Sequence, residues 1–175
     1  MDMTTDEDIK NCERADLLES LTHHRSLLRQ TVQGLTDDQA AQRPTASELC
    51  LGGIIKHVTR VEQRWADFIV KGPDAQGPAD PAAIAAHAAS FHMTDGDTLG
   101  ELLDRYQEVA DRTDDLVGSL PSLDTDHPLP PAPWFEPGAR WTARRVILHI
   151  IAETAQHAGH ADILRESIDG TKSMG

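Results

Sequence analysis

The apolar residues of this chain recur at intervals of three and four, which restricts the chain to a helical fold. Four long segments show this spacing, and their apolar lines lie over residues 17–35, 54–69, 99–117 and 146–164. Such a line covers one face of an α-helix, because 3.6 residues complete one turn. We find no convincing strand pattern. The spacing therefore predicts an all-α fold, and four helices of this length predict a four-helix bundle.

Capping residues and helix breakers indicate where the long helices begin and end. The second is expected to start with Ser47 as its N-cap and to stop near Gly72-Pro73. The third is expected to begin near Asp97-Thr98. The fourth is expected to begin near Trp141-Thr142 and to run to about Ser167. The first is preceded by an acidic segment without an apolar pattern.

Two stretches rich in proline, alanine and glycine connect the long helices. Residues 72–97 are interpreted as a connector with a short helix around Pro81–Ser90. The stretch Pro121–Pro137 holds six prolines, which predicts that it has no regular structure. Both connections are long enough to be crossovers. We find no internal repeat, and we expect one domain over 1–175 with a flexible N-terminus at 1–10.

Charge and composition exclude several classes of function. The chain carries 16 Lys and Arg against 29 Asp and Glu, for a formal net charge of -13. Nucleic-acid binding draws on clustered cations, so DNA and RNA are not expected partners. No apolar run approaches the roughly 20 residues that span a bilayer. Cys12 and Cys50 form no CxxC pair. We expect a soluble cytoplasmic protein that has no membrane partner.

The fourth long helix carries ionisable residues where its apolar line should continue. The residues of this line are spaced four, three, four, three and four apart: Val146, Ile150, Glu153, His157, His160 and Leu164. Burying an unpaired carboxylate costs several kcal/mol, so the group needs a partner. A metal ion satisfies both a carboxylate and an imidazole. The alternative is a Glu–His pair on a solvent-facing surface.

A divalent metal on Glu153 and His157 needs a further ligand from another helix. His57 borders the apolar line of the second long helix and is the best candidate, although it also suits a hydrogen-bonded core histidine. Two histidines and one carboxylate leave an open position for water or substrate, as in catalytic zinc sites. The same ligands suit non-haem iron. His160, one turn beyond His157, could support the ligands, act as a fourth ligand or face solvent.

The run RWTARRVILHIIAETAQHAGHADILRESIDG, with LGGIIKHVTRVEQRW upstream, resembles the DinB-like four-helix superfamily. The resemblance extends from about Leu35 and is closest to the actinobacterial branch of mini-circle proteins and mycothiol-dependent maleylpyruvate isomerases. It implies a bundle with crossover topology, a homodimer, and a metal site of His57, Glu153 and His157. Many relatives have histidine at position 153, whereas the isomerase branch resembles this chain in having Glu. That match favours zinc, with nickel or iron as alternatives.

The resemblance also implies thiol chemistry, because the superfamily includes thiol S-transferases and thiol-dependent isomerases. A free thiol has a pKa near ~8.5, so little of it is thiolate at neutral pH. Coordination to zinc deprotonates a thiol. We therefore expect a metal-dependent S-transferase that joins mycothiol or a similar small thiol to an electrophile. Arg144, Arg145 and Arg165 are candidates for binding an anionic part of the thiol or substrate, or are exposed helix charges.

Two other functions stay open at this point. A metal-dependent hydrolase would use hydroxide as its nucleophile, although the sequence shows no separate general base. A metal-binding or dimer-forming helical module without turnover is the non-enzymatic alternative. A fourth protein ligand, for which His160 is the first candidate, would close the site and favour that module. The sequence assigns no catalytic residue and no substrate.

Overall fold

The structure, a computed structural model, describes residues 6–76 and 81–173. The described residues form six helices: α1 (Asp6–Gln30), α2 (Asp37–Ala41), α3 (Leu51–Lys71), α4 (Pro81–Ala89), α5 (Leu99–Ser119) and α6 (Ala143–Asp169). Two short strands, β1 (Asp126–Pro128) and β2 (Arg140–Thr142), lie between α5 and α6, and a 3-10 turn (Gly72–Gln76) follows α3. Of the N-terminus predicted to be flexible, residues 1–5 lie outside the described residues.

Helices α1, α3, α5 and α6 form a four-helix bundle. Both α1 and α3 pack mainly against α5 and α6. Consecutive long helices α1 and α3 are therefore diagonal to each other, as are α5 and α6, and the segments between them cross the bundle. This arrangement confirms the predicted all-α bundle with crossover connections. None of the described helices is long and apolar enough to cross a membrane.

The core consists of two apolar clusters, one toward each end of the bundle. The first contains Leu28, Ile54 and Leu164, and the second contains Leu21 and Ile147. Side chains of all four long helices contribute to each cluster. Between the clusters lies a layer of buried polar side chains. Its members include Arg25, His57, Glu62, Thr113, Thr154 and His157. Polar groups in such a layer require partners, because desolvation without hydrogen bonds is costly.

Arg25 and Glu62 form a buried ion pair in this polar layer. Arg25 Nη2 donates to Glu62 Oε1 at 2.5 Å, and Arg25 Nε donates to Glu62 Oε2 at 3.3 Å. Arg25 Nη1 also donates to Asp114 Oδ1 at 2.8 Å. The guanidinium group thereby connects the diagonal helices α1 and α3 and reaches α5. Sequence analysis did not single out either residue of this pair.

The prediction that Pro121–Pro137 has no regular structure is wrong in part. Strands β1 and β2 pair antiparallel, with Asp126 opposite Thr142. Pro128 is tolerated because each strand of a two-stranded ribbon is an edge, where a missing N–H need not interrupt a ladder. His127 Nε2 lies 3.1 Å from the carbonyl oxygen of Ile69 at the end of α3. The ribbon thus joins the last turn of α3 to the start of α6.

The predicted Ser47 cap of the second long helix is also wrong. Helix α3 begins at Leu51 with Cys50 as its N-cap, and Gly53 N donates to Cys50 Sγ at 3.4 Å. The Ser47 hydroxyl instead accepts a hydrogen bond from the N–H of Leu49 at 3.2 Å. Serine side chains form such local turns in competition with helix capping, so the turn replaces the predicted cap.

The predicted end of α3, the predicted start of α5 and both predicted ends of α6 are confirmed to within two residues, whereas α1 ends at Gln30, before the end of its apolar line at Leu35. Thr98 is the N-cap of α5, and Thr142 is the N-cap of α6. Helix α6 ends at Asp169, two residues beyond the predicted end, where Gly170 adopts the left-handed conformation that favours glycine. The predicted short helix around Pro81–Ser90 is α4.

Gly53 allows α3 to approach the segment that follows α4. A Cβ at this position would overlap the backbone of Phe91, whereas a Cβ at Gly52 would meet only the flexible end of Met93. We expect Gly53→Ala to lower the free energy of unfolding by about 1–3 kcal/mol, because backbone must shift. Urea denaturation measures this change. In the control Gly118→Ala, where α5 borders open space, we expect stabilisation of about 0.5–1 kcal/mol; destabilisation of equal size in both variants would contradict the prediction.

Candidate metal centre

His57 of α3 faces Glu153 and His157 of α6. One potential metal-ligating atom of each residue lies within 4.8 Å of the others. The imidazole rings of His57 and His157 have centroids 4.9 Å apart, and Glu153 Oε2 lies 3.7 Å from His157 Nε2. The two packed helices thus bring together the three residues that sequence analysis selected as ligands.

A hydroxyl group fixes the tautomer of His57. Ser90 Oγ donates its hydrogen to the carbonyl oxygen of His87 at 2.6 Å, so it can only accept from His57 Nδ1, 3.1 Å away. A neutral imidazole carries one N–H group. The hydrogen-bond network therefore assigns the proton to Nδ1 and leaves Nε2 with a lone pair that a metal can use.

Burial and nearby charges set protonation states that suit metal binding. Burial, together with positive charge on His157 and His87, lowers the pKa of His57 to about 4, and Glu153 partly opposes this shift. The neighbouring His157 imidazole lowers the pKa of the Glu153 carboxyl against the opposing effect of burial. At neutral pH His57 is neutral and Glu153 is ionised, and these are the forms that bind divalent metals.

Three donors converge at the site, and two buried nitrogens in or beside it lack a hydrogen-bond partner. His157 Nδ1 and His160 Nδ1 are buried and have no hydrogen-bond partner within the part of the chain that the structure describes. Leaving such an atom unpaired costs about 1–3 kcal/mol, so a bound group would stabilise this region. His160 stands beside the three donors, with its ring centroid 5.4 Å from that of His157, but outside their group. The donor set therefore fits a three-ligand metal site with an open position.

His149 connects the candidate centre to an aromatic wall. Its Nε2 lies 3.8 Å from Glu153 Oε1, whereas the other oxygen of this carboxylate faces His157. The rings of Trp65 and Trp141 stack with centroids 4.8 Å apart. His149 packs edge-on against both of them, at 4.9 and 5.1 Å. Sequence analysis gave His149 no role at the site, although it lies one turn before Glu153.

The segment at the end of α4 covers His57. Phe91 stacks on the His57 ring at 3.9 Å, and the exposed His87 lies edge-on to that ring at 5.3 Å. Burial lowers the pKa of His87, and the charges of Arg60 and Arg64 lower it further. The contact of His87 with His57 could not be predicted, because the packing of a connector against a helix leaves no periodic pattern in the sequence.

Arg145 lies beside the candidate centre, whereas Arg144 forms ion pairs with other parts of the chain. The Arg145 guanidinium carbon lies 4.9 Å from the ring centroid of Trp141, in a cation–π contact at the aromatic wall. Arg144 forms ion pairs with Glu13 of α1 and with Asp124 ahead of β1. Its guanidinium group therefore holds α1 and the ribbon to the start of α6.

Arg165 holds the far end of the bundle together. It is buried and donates to the carbonyl oxygens of Thr31 and Gln33 at 3.0 and 2.9 Å, and to Asp169 at 3.0 Å. Arg165 lies eight positions after His157, and this spacing corresponds to about 12 Å along an α-helix. These contacts fasten the end of α1 to α6 and leave Arg165 outside the candidate centre.

Comparisons with known proteins agree with the fold and indicate a family. The model of the family described as Mycothiol-S-transferase matches residues 16–170, which confirms the resemblance to the DinB-like superfamily. A crystal structure of a conserved protein from Enterococcus faecalis is similar over 89% of this chain and 96% of that chain, at 15% sequence identity and a TM-score of 0.61. At that identity the similarity supports the fold alone. A search of curated proteins finds no match.

Proposed function

The chain belongs to the mycothiol S-transferase family, and from this membership we propose that it transfers a small thiol such as mycothiol to an electrophile. The convergence of His57, Glu153 and His157 within 4.8 Å carries the proposal. These residues would hold a divalent metal, with zinc as the first choice and nickel or iron as alternatives. A zinc ion bound there would lower the pKa of a thiol and so supply a thiolate at neutral pH.

The surrounding residues hold the donors in place. Ser90 fixes the orientation of His57 through Nδ1, and His149 faces the Glu153 oxygen that does not face His157. Overall, the thiol sulfur forms a bond to the electrophilic carbon, and the leaving group departs with its electron pair. The thiol proton passes to solvent. The absence of His160 from the converging donors supports an open site over a closed one.

The aromatic wall and the proline-rich segment offer a surface for the organic part of a substrate. Phe135 lies 5.7 Å from Trp141, and the neighbouring Trp134 is 73% exposed. Exposed tryptophan beside an ordered aromatic cluster is typical of binding surfaces. Arg145 contacts Trp141 at the edge of this wall, which supports a role in binding an anionic or polar group. We propose that the electrophile or the body of the thiol packs here.

The test combines metal analysis with a conjugation assay. The protein is purified without chelators, its bound metal is measured by elemental mass spectrometry, and it is incubated with mycothiol and a fluorogenic alkylating agent. We expect conjugate formation above the uncatalysed rate, loss of this activity after chelation, and recovery on adding the metal. Bound metal without any conjugation would reject S-transfer and favour the hydrolase. No bound metal, even after reloading, would favour the non-catalytic module.

Ser90 provides a prediction at the edge of the site. We expect Ser90→Ala to weaken metal binding about 10–100-fold, because loss of the hydrogen bond that orients a histidine ligand has effects of this size. Competition with a chromogenic chelator measures the affinity. Ser167→Ala is the matched control, since that hydroxyl also donates to a backbone carbonyl, Ile163 O at 2.8 Å, on the exposed side of α6. Equal affinities in the two variants would contradict the proposed role of Ser90.

A further inference from the structure

A cavity of about 160 Å³ lies between α3 and α5. Its lining residues are Lys56, Thr59, Arg60, Gln63, Leu102 and Arg105. Three of these six are cations, in a chain whose net charge is -13. The three donors of the candidate metal centre are not among them. We propose that this cavity is a second binding site, for a small oxyanion such as phosphate or a carboxylate group, which goes beyond the proposed function.

The positive charge of the cavity is only partly neutralised. Lys56 Nζ pairs with Asp97 Oδ2 at 2.7 Å, which accounts for one of the three cations. Arg60 Nη1 donates to the carbonyl oxygen of Ala86 at 2.6 Å, and Arg105 Nη2 donates to Gln63 Oε1 at 3.2 Å. Both of these partners are uncharged. Two guanidinium charges therefore remain for an anion to neutralise.

The same hydrogen bonds leave N–H donors unused on both arginines, whereas the Thr59 hydroxyl donates to the carbonyl oxygen of Ile55. Each guanidinium has five N–H groups, and the contacts above occupy only some of them. Gln63 uses its carbonyl oxygen to accept from Arg105, which leaves its NH₂ group as a donor; this amide orientation is assigned from the network. Contacts with a backbone or side-chain group already hold both arginines. Little side-chain conformational freedom is therefore lost when an anion binds.

The size of the cavity limits the ligand to a small group. At about 30 Å³ for each water, its volume corresponds to about five waters. Sites for drug-sized molecules and cofactors are about 300–1,000 Å³. A phosphate or carboxylate group with one or two waters fits this volume. The alternative is a solvent-filled groove whose cations serve only solubility, and a direct binding measurement separates the two.

The test is calorimetric titration of metal-free protein with inorganic phosphate and, separately, with acetate at matched ionic strength. We expect saturable binding of at least one anion with a dissociation constant of about 1 mM. Arg60→Gln and Arg105→Gln should each weaken it at least about tenfold, because each removes one of the two uncompensated charges. Arg43→Gln is the matched control, since Arg43 is an exposed arginine paired with Glu48, and it should bind like the wild type.

Further variants test whether anion binding at the cavity is independent of the candidate metal centre. His57→Ala should bind the anion like the wild type, since His57 does not line the cavity. Circular dichroism checks that each variant is folded, and the exposed position of Arg105 makes Arg105→Gln the safer one. Binding of phosphate alone, acetate alone or both supports the site and identifies the oxyanion. Absence of saturable binding by either anion, or wild-type affinity in folded Arg60→Gln and Arg105→Gln, would overturn it.

Discussion

Replacing Glu62 with alanine should lower the free energy of unfolding by about 3–5 kcal/mol, which is the usual cost of leaving one charge of a buried pair without its partner. The Glu62 side chain is 0% exposed and that of Arg25 is 5% exposed. Water therefore cannot replace the lost carboxylate. Asp114 still accepts from Arg25, but its own side chain is 38% exposed, so its compensation is screened. Natural domains are stable by only about 5–15 kcal/mol, and a loss of this size is readily measured by urea denaturation.

A double replacement distinguishes the effect of the two charges on stability from the effect of the volume that their side chains fill. In Arg25→Met/Glu62→Leu both charges are removed together, and we expect stability near that of the wild type or above it by about 1–4 kcal/mol. Asp114→Ala is the control for a partly exposed partner and should cost about 1 kcal/mol or less. If Glu62→Ala costs no more than Asp114→Ala, the buried pair does not govern the stability of the polar layer.

Replacing His57 with alanine should abolish stoichiometric metal binding. We expect about one equivalent of metal in the wild type, as the three-ligand site implies. The affinity should fall by more than about 100-fold, because loss of a ligand exceeds the 10–100-fold effect of losing a group that merely orients one. His157→Ala should behave in the same way. Elemental mass spectrometry after dialysis measures the change.

His160→Ala is the matched control for this experiment. His160 lies on the same helix as His157, and its Nδ1 is also buried without a hydrogen-bond partner among the described residues. Since it stands outside the converging donors, we expect its removal to leave metal content unchanged. Loss of metal in His160→Ala would instead indicate a closed four-ligand site and favour a structural centre without turnover. Retention of metal in both His57→Ala and His157→Ala would reject the site.

The helices could be predicted because their signals are local. Apolar spacing and caps such as Thr98 and Thr142 lie within a few residues of the boundary that they determine. The β1–β2 ribbon could not be predicted in this way, because Asp126 pairs with Thr142 across 16 positions that include five of the six prolines of the stretch Pro121–Pro137. The predicted Ser47 cap is wrong because the Ser47 hydroxyl accepts from the nearby Leu49 N–H in a local turn, and Cys50 caps α3 instead.

The convergence of the candidate ligands could be predicted because Glu153 and His157 interrupt an apolar line. The same signal is present at Arg25, between Leu21 and Leu28, and at Glu62, four residues after Val58. An interrupted line shows that a buried charge needs a partner, but whether the partner is a metal or an opposite charge depends on the facing helix. That information is absent from a single helix.

The residues that support the ligands could not be predicted. Ser90 and Phe91 follow a short helix inside a connector, and they reach His57 only because α3 and this segment pack closely at Gly53. His149 lies one turn from Glu153, so its proximity could be expected. Its contact with Trp65 of another helix could not, because that contact depends on how α3 and α6 pack.

Helix α4 also influences the candidate centre through its orientation. The carbonyl groups of Ala86 and His87 belong to its last turn, and they accept hydrogen bonds from Arg60 and from Ser90, which in turn holds His57. The C-terminal end of a helix carries a partial negative charge of roughly half an electron. The α4 dipole therefore presents its negative pole to this region. Its field would favour the arrival of a dication at the candidate centre and oppose the loss of that ion to solvent.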